Sequence, residues 1–128
     1  MPLDAQKDLS DKDELLLGKE KLFCASCGHW VTTNELKVSI KEAHDHTVFN
    51  PAGIVFNIGC FRDAPGCWAT GTPSSDFSWF SGYHWRMALC EGCGKHMGWL
   101  FTGGEPFPAF YGLILKYLSE TSNNDTKS

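Results

Sequence analysis

Two copies of one short motif, Cys24-Ala25-Ser26-Cys27-Gly28 and Cys90-Glu91-Gly92-Cys93-Gly94, constrain this chain more than anything else in it. A Cys-x-x-Cys-Gly loop turns its backbone tightly enough to aim both thiolates at one ion, and the glycine takes the positive-φ position that ends the turn. Two such loops supply four sulfurs. That is a closed tetrahedral site with no position left for a water, so one structural Zn2+ held by Cys24, Cys27, Cys90 and Cys93 is expected. More than sixty residues lie between the knuckles, too many for a simple ribbon, so the metal is expected to staple the two ends of a β-domain. Structural zinc of this kind contributes about 10 kcal/mol or more to folding. The six cysteines would also suit three disulfides in an exported protein. Four of them, however, fall in the two paired motifs, and the apolar patch Leu15–Leu17 is too short for a signal peptide's core. A cytoplasmic location is expected.

At 128 residues and 42% hydrophobic content, the chain suits one globular domain with a modest core. Its net charge of -4 and the lack of a Lys/Arg cluster argue against nucleic acid as the main partner, since phosphate neutralisation needs a basic footprint. No apolar run is long enough to span a bilayer. Residues 1–20 read as a disordered acidic tail, 21–119 as the zinc-binding domain and 120–128 as a second disordered tail. Within the domain, Leu36, Val38 and Ile40 alternate with polar neighbours, predicting a strand with one wet face. Asn50-Pro51 and Gly53 mark a turn, and Ile54 to Phe61 predicts a buried strand. A short strand over Cys67 to Thr70 is expected to end in the turn Gly-Thr-Pro-Ser-Ser. Trp85, Met87 and Leu89 are expected on one face of the next strand, and His96 to Phe101 forms another with Trp99 and Phe101 together. Phe110 to Leu118 reads either as a strand turning helical near Leu115 or as one short helix. The class is mainly β.

Between Asp76 and Phe101 stand three tryptophans, Trp79, Trp85 and Trp99. Tryptophan wants its ring buried and its N–H paired, so three indoles on neighbouring strands form either one wall of a core or the walls of a pocket. Two features favour the pocket. Ser81-Gly82 interrupts the segment between Trp79 and Trp85, and the turn-prone Asp76-Phe77-Ser78 offers free main-chain donors and acceptors at a rim. Aromatic walls with exposed polar backbone suit a small flat or cationic ligand. Cys60 and Cys67 fit no ligand spacing and read as inert buried thiols. His44 and His46 read as solvated, and His96 as a satisfied core histidine.

At these residues the sequence resembles the thalidomide-binding (CULT) domain family of cereblon, most closely its single-domain bacterial homologues. The resemblance is carried by CxxCG at 24–28, FNPAG at 49–53, FSWFSGYHW at 77–85, CEGCG at 90–94 and GWLF at 98–101. It implies a β-tent of two antiparallel sheets meeting at an angle, pinned by the four-cysteine zinc site. It implies a cage in which Trp79, Trp85 and Trp99 surround a glutarimide ring, with Phe101 as the floor. Main-chain groups at Phe77 and Trp79 are then expected to bond the imide, beside Ser78, with Asn50 and Pro51 at the rim. Animal cereblon has a histidine where this chain has Phe77, so a side-chain contact is lost while a backbone contact survives. The resemblance further implies a binding module rather than an enzyme. Its ligands would be cyclic imides of the glutarimide or thalidomide type, uridine-like molecules, or cyclic imides at damaged protein C-termini. No region for a ubiquitin-ligase adaptor is expected within these residues. Two rival functions remain. A methyl-ammonium reader would use the same cage with Asp76 or Glu91 as counter-charge. A methionine sulfoxide reductase-like enzyme on the same fold would use Cys60 or Cys67 as nucleophile.

Overall fold

The computed structural model describes residues 21–121, so the tail expected over 1–20 and nearly all of that over 120–128 lie outside the described residues. The strands are β1 (Lys21–Cys24), β2 (Trp30–Thr33), β3 (Asp45–Phe49), β4 (Val55–Phe61), β5 (Cys67–Ser74), β6 (His84–Cys90), β7 (His96–Thr102), β8 (Ala109–Ile114) and β9 (Leu118–Ser119). Single 3-10 turns occupy Asn34–Leu36 and Leu115–Tyr117, and no α-helix occurs among the described residues. Two antiparallel sheets result: a three-stranded one ordered β9-β1-β2 and a six-stranded one ordered β3-β4-β8-β7-β6-β5. The fold is mainly β, as the patterning predicted.

The six-stranded sheet is buried on both faces, and this decides where the site lies. One face carries Phe61, Ala88 and Leu113, which pack with Leu22, Cys24 and Val31 of the small sheet. The other carries Ile58, Cys60, Trp99, Phe101, Phe110 and Ile114, covered by Ile40, Val48, Phe80 and Tyr83. The four central strands therefore divide their alternate side chains between a core on the cysteine-cluster side and an aromatic core. The sheets approach closely at Gly66, where a Cβ would run into the Trp30 carbonyl.

Several expectations are corrected. Leu36 to Lys41 keeps the predicted alternation of inward and outward side chains, yet it is not a strand. It pairs with the sheet through one isolated bridge, Lys37–Phe61, while a second bridge, Ile40–Ala43, closes its own turn. Positive φ at Lys41 (53°) and Glu42 (73°) turns the chain back before a ladder can extend. The polar His-Asp-His-Thr stretch carries no strand signal of its own, but it enters β3, an edge strand that needs few apolar positions. The strand expected to be buried from Ile54 onward is exposed in its first half, with Ile54 and Val55 each 54% accessible. Gly71 to Ser74 does not end β5: the strand continues through a register shift. Pro73 is tolerated there because β5 is the other edge of the sheet. On β6, Ala88 and Cys90 enter the core while Met87 is exposed. Phe110 to Leu118 takes the first of its two alternatives, strand then turn.

Candidate functional site

The two knuckles are built alike. Gly28 N donates to Cys24 O and Gly94 N to Cys90 O, both at 2.8 Å. Cys24 N bonds His29 O, and Cys90 N bonds Lys95 O, again at 2.8 Å. Gly28 and Gly94 take φ of 81° and 79°, the left-handed conformation that the motif requires. All four Sγ atoms lie within 4.8 Å of one another, with Cys24–Cys93 at 3.8 Å and Cys27–Cys90 at 3.6 Å. Four sulfurs at ~2.3 Å from a tetrahedral ion stand about 3.8 Å apart, so this set fits one metal ion. Burial and the crowded neighbouring thiols push Cys27 up to about 12, and burial pushes Cys90 upward. The Lys95 backbone N–H holds Cys93 below the ordinary thiol range. Sulfurs crowded this closely resist ionising together, and a divalent cation is what would hold them as thiolates. No disulfide joins the described cysteines.

The second feature is a cavity of about 400 Å3 on the aromatic face of the large sheet. Trp79, Trp85 and Trp99 all line it. Trp79 and Trp99 stand perpendicular, their centroids 4.8 Å apart at 88°. The Trp79 indole N–H donates to Phe49 O at 2.7 Å and that of Trp85 to Asp76 O at 2.8 Å. These bonds fix two indoles by their edges at the cavity. Phe56 completes the corner, edge-on to Trp99 at 5.3 Å. Asn50, Pro51 and Phe77 lie at the rim. The Asn50 turn holds its own shape: Asn50 Oδ1 accepts from Ile54 N at 2.9 Å, and Asn50 O accepts from Gly53 N at 2.8 Å.

Phe77 is 75% exposed with φ at 54°, an uncommon conformation for a bulky residue. Among the described residues, neither main-chain polar group of Phe77 or of Trp79 has a partner. Two of the expected ligand residues stand apart from the lining. Phe101 lies beneath it, fully buried and stacked on Phe110, and the Ser78 hydroxyl turns inward to donate to Phe80 O at 3.1 Å.

Sequence reasoning passed over three lining residues as parts of the pocket: Phe56, Met87 and His96. Asp76, expected as a rim turn and as a counter-charge only in the methyl-ammonium reading, lines the cavity as well. Alternation along β6 carried the signal for Met87, two residues from Trp85. His96 is not a core histidine; it lines the cavity with its ring edge-on to Trp99. His44 and His46 are not solvated loop residues either. Each bonds a carbonyl, of Val38 and Ala43 respectively, and each sets its ring edge-on to a phenylalanine. Cys60 and Cys67 are buried, and burial pushes both thiols up to about 12, the reverse of what a nucleophilic cysteine needs.

No helix among the described residues is long and apolar enough to cross a membrane. No family model matches the chain. Among curated proteins, it is 51% identical to Protein cereblon of Drosophila persimilis over 47 residues, covering 34% of this chain and 8% of that protein. Protein cereblon of Drosophila virilis is 47% identical over 47 residues, covering 34% and 7%. That of Gallus gallus is 43% identical over 53 residues, covering 41% and 12%. The shared stretch is thus about a tenth of these relatives' length, and, as animal proteins, they do not bear on the expected closeness to bacterial members. Over that shared stretch, this chain is similar to the cereblon proteins.

Proposed function

We propose that this chain is a binding module that holds a cyclic imide, of the glutarimide or thalidomide type, between Trp79, Trp85 and Trp99. One observation carries the reading: the indoles are not packed face to face as a core but stand as walls around an open cavity, with two N–H groups fixed from behind. An imide edge offers one N–H between two carbonyls. The unpartnered main-chain groups of Phe77 and Trp79 are complementary to that edge, and the methylene face suits indole walls. The backbone strain at Phe77 accords with a role at a binding rim. Uracil and the cyclic imides of damaged protein C-termini share this edge and fall within the same ligand class. A glutarimide has eight heavy atoms, so at a generous ~1 kcal/mol per atom its affinity reaches about micromolar.

In this reading the four cysteines hold one structural zinc ion, whose charge keeps them as thiolates and ties the knuckle after β1 to the knuckle after β6. The ligand is bound and not turned over, consistent with the two remaining thiols being buried. One observation favours a second reading. Asp76 lines the same cavity, and a carboxylate beside aromatic walls suits a methylated ammonium.

Titration of intrinsic tryptophan fluorescence with glutarimide, in zinc-loaded protein, tests both. A trimethyl-lysine peptide runs in parallel, and Trp85→Ala is the control. Saturable binding of the imide, lost in the variant, is expected. A response to the ammonium alone would replace the imide reading with the second one.

A further inference from the structure

A closed four-sulfur site gives up its ion only by opening, because every position on the ion is taken until one knuckle lifts from the other. Exposure singles out the second knuckle. Of the four cysteines, Cys93 alone is exposed, while Cys24 and Cys90 are buried and Cys27 is half-buried. A competing ligand therefore arrives from the Cys93 side, and loop 90–94 is the one that must move.

Two contacts restrain that movement. One is direct: at Gly92 a Cβ would run into the His29 side chain, so the knuckles touch by shape. The other runs through Tyr117. After β8 the chain makes its 3-10 turn at Leu115–Tyr117 and enters β9, where Leu118 pairs with Cys24 and Ser119 with Phe23. This brings the Tyr117 carbonyl onto the first knuckle, where it accepts from Ala25 N at 2.9 Å. The ring of the same residue meets the second knuckle: Lys95 Nζ stands over it, 4.2 Å from the centroid. Lys95 in turn closes its own loop, its carbonyl accepting from Cys90 N at 2.8 Å. One residue thus holds the first knuckle by its main chain and the second by its ring. An ammonium over an aromatic face is attracted by the ring's quadrupole, and both side chains are half-buried, so water screens the pair only in part. A second ammonium, Lys116 Nζ, lies 5.6 Å from the same centroid. Lys116 is next to Tyr117 in the chain, so this contact stays within one turn and links no separate segments.

Resting on the reading that the four cysteines hold one structural ion, we propose that the Lys95–Tyr117 contact is a latch on the metal site. Tyr117 supplies no ligand; it is a positioning residue that ties loop 90–94 to loop 24–28. Lifting the second knuckle breaks the contact, so the latch slows release of the ion.

The test mixes Co2+-loaded protein with excess EDTA and follows the loss of cobalt–thiolate charge-transfer absorption, which gives the release rate. A cation–π contact at such a site corresponds to roughly a 2- to 5-fold change, so Lys95→Met and Tyr117→Leu are each expected to release faster by that factor. The double variant should release no faster than the faster single variant, because both remove one contact. Lys95→Arg and Tyr117→Phe keep a cation over a ring and should stay within about 1.5-fold of wild type. Lys116→Met is the control: it removes the same charge from the same ring but no link between knuckles, and should also match wild type. Lys95→Met at the wild-type rate overturns the latch. Equal acceleration by Lys116→Met does so too, because the effect is then one of net charge, as do accelerations that multiply in the double variant. Where Tyr117→Leu does not fold, the Lys95 and Lys116 variants decide alone. Protein that takes up no Co2+ into a thiolate site overturns the metal reading and the latch together, whereas loaded protein that fails only the rate comparison loses the latch alone.

Discussion

Phe101→Ala separates a packing role from a ligand-contact role at the proposed cage. Phe101 is 0% exposed, stacked on Phe110 at 5.0 Å and 21°, edge-on to Phe80 at 4.9 Å, and 6.4 Å from Trp79. Removing a phenyl ring from a filled core costs about 3–5 kcal/mol, more where the neighbours cannot collapse. Here the facing residue is Gly112, whose close fit against the Phe101 ring leaves no side chain there to move in. For a domain of this size, each kcal/mol lowers Tm by about 4–8 °C, so a fall of roughly 12–40 °C is expected, a large part of the ~5–15 kcal/mol that holds a domain together. Thermal melts of zinc-loaded protein by near-UV circular dichroism would measure it, with Phe101→Leu recovering much of the loss. A variant that melts within about 5 °C of wild type yet no longer binds glutarimide would refute the reasoning and make Phe101 a direct wall of the cage.

Chelation of the metal, or Cys90→Ser, should abolish cooperative unfolding, because the site contributes about 10 kcal/mol or more; a chelated sample with an unchanged melt would show that the four cysteines hold no structural ion. Trp79→Phe deletes the 2.7 Å bond to Phe49 O and should cost about 1 kcal/mol, with faster amide exchange in β3; unchanged exchange there would dissociate the cage from that edge strand. Burial raises Cys60 and Cys67 to about 12, against about 8.5 in an unfolded chain. Above pH ~8.5 the unfolded chain releases thiol protons that the folded chain keeps, so stability is full below that pH and falls as pH rises toward 12. Urea melts at pH 7.5 and 10 should show the fall, and Cys60→Ala should lessen it; identical slopes would contradict the assignment. Gly66→Ala should prevent the two sheets from closing, because a Cβ there meets the backbone carbonyl of Trp30 rather than a movable side chain; a soluble variant with wild-type Tm would refute this.

The sequence by itself determined the four-cysteine cluster that could hold a metal ion, the mainly β class and the three indoles, since each is written in local chemistry. Cys-x-x-Cys-Gly closes the same turn wherever it occurs, so Cys24, Cys27, Cys90 and Cys93 were legible without tertiary information, and the 3.6 Å and 3.8 Å sulfur separations agree. Strand alternation likewise grouped Trp99 with Phe101 and Trp85 with Met87. Tertiary structure alone decided which of these side chains face a cavity and which face a core. A sheet covered on both faces gives its two sets of alternating residues equal claim to burial, so periodicity could not separate the lining residue Met87 from the buried Ala88. A register shift between Ala88 and Leu89 and the bulky covering of Ile40, Val48, Phe80 and Tyr83 set Phe101 below the cavity and His96 on its wall. Such facts depend on how strands far apart in the chain are paired, and no single stretch of sequence carries them.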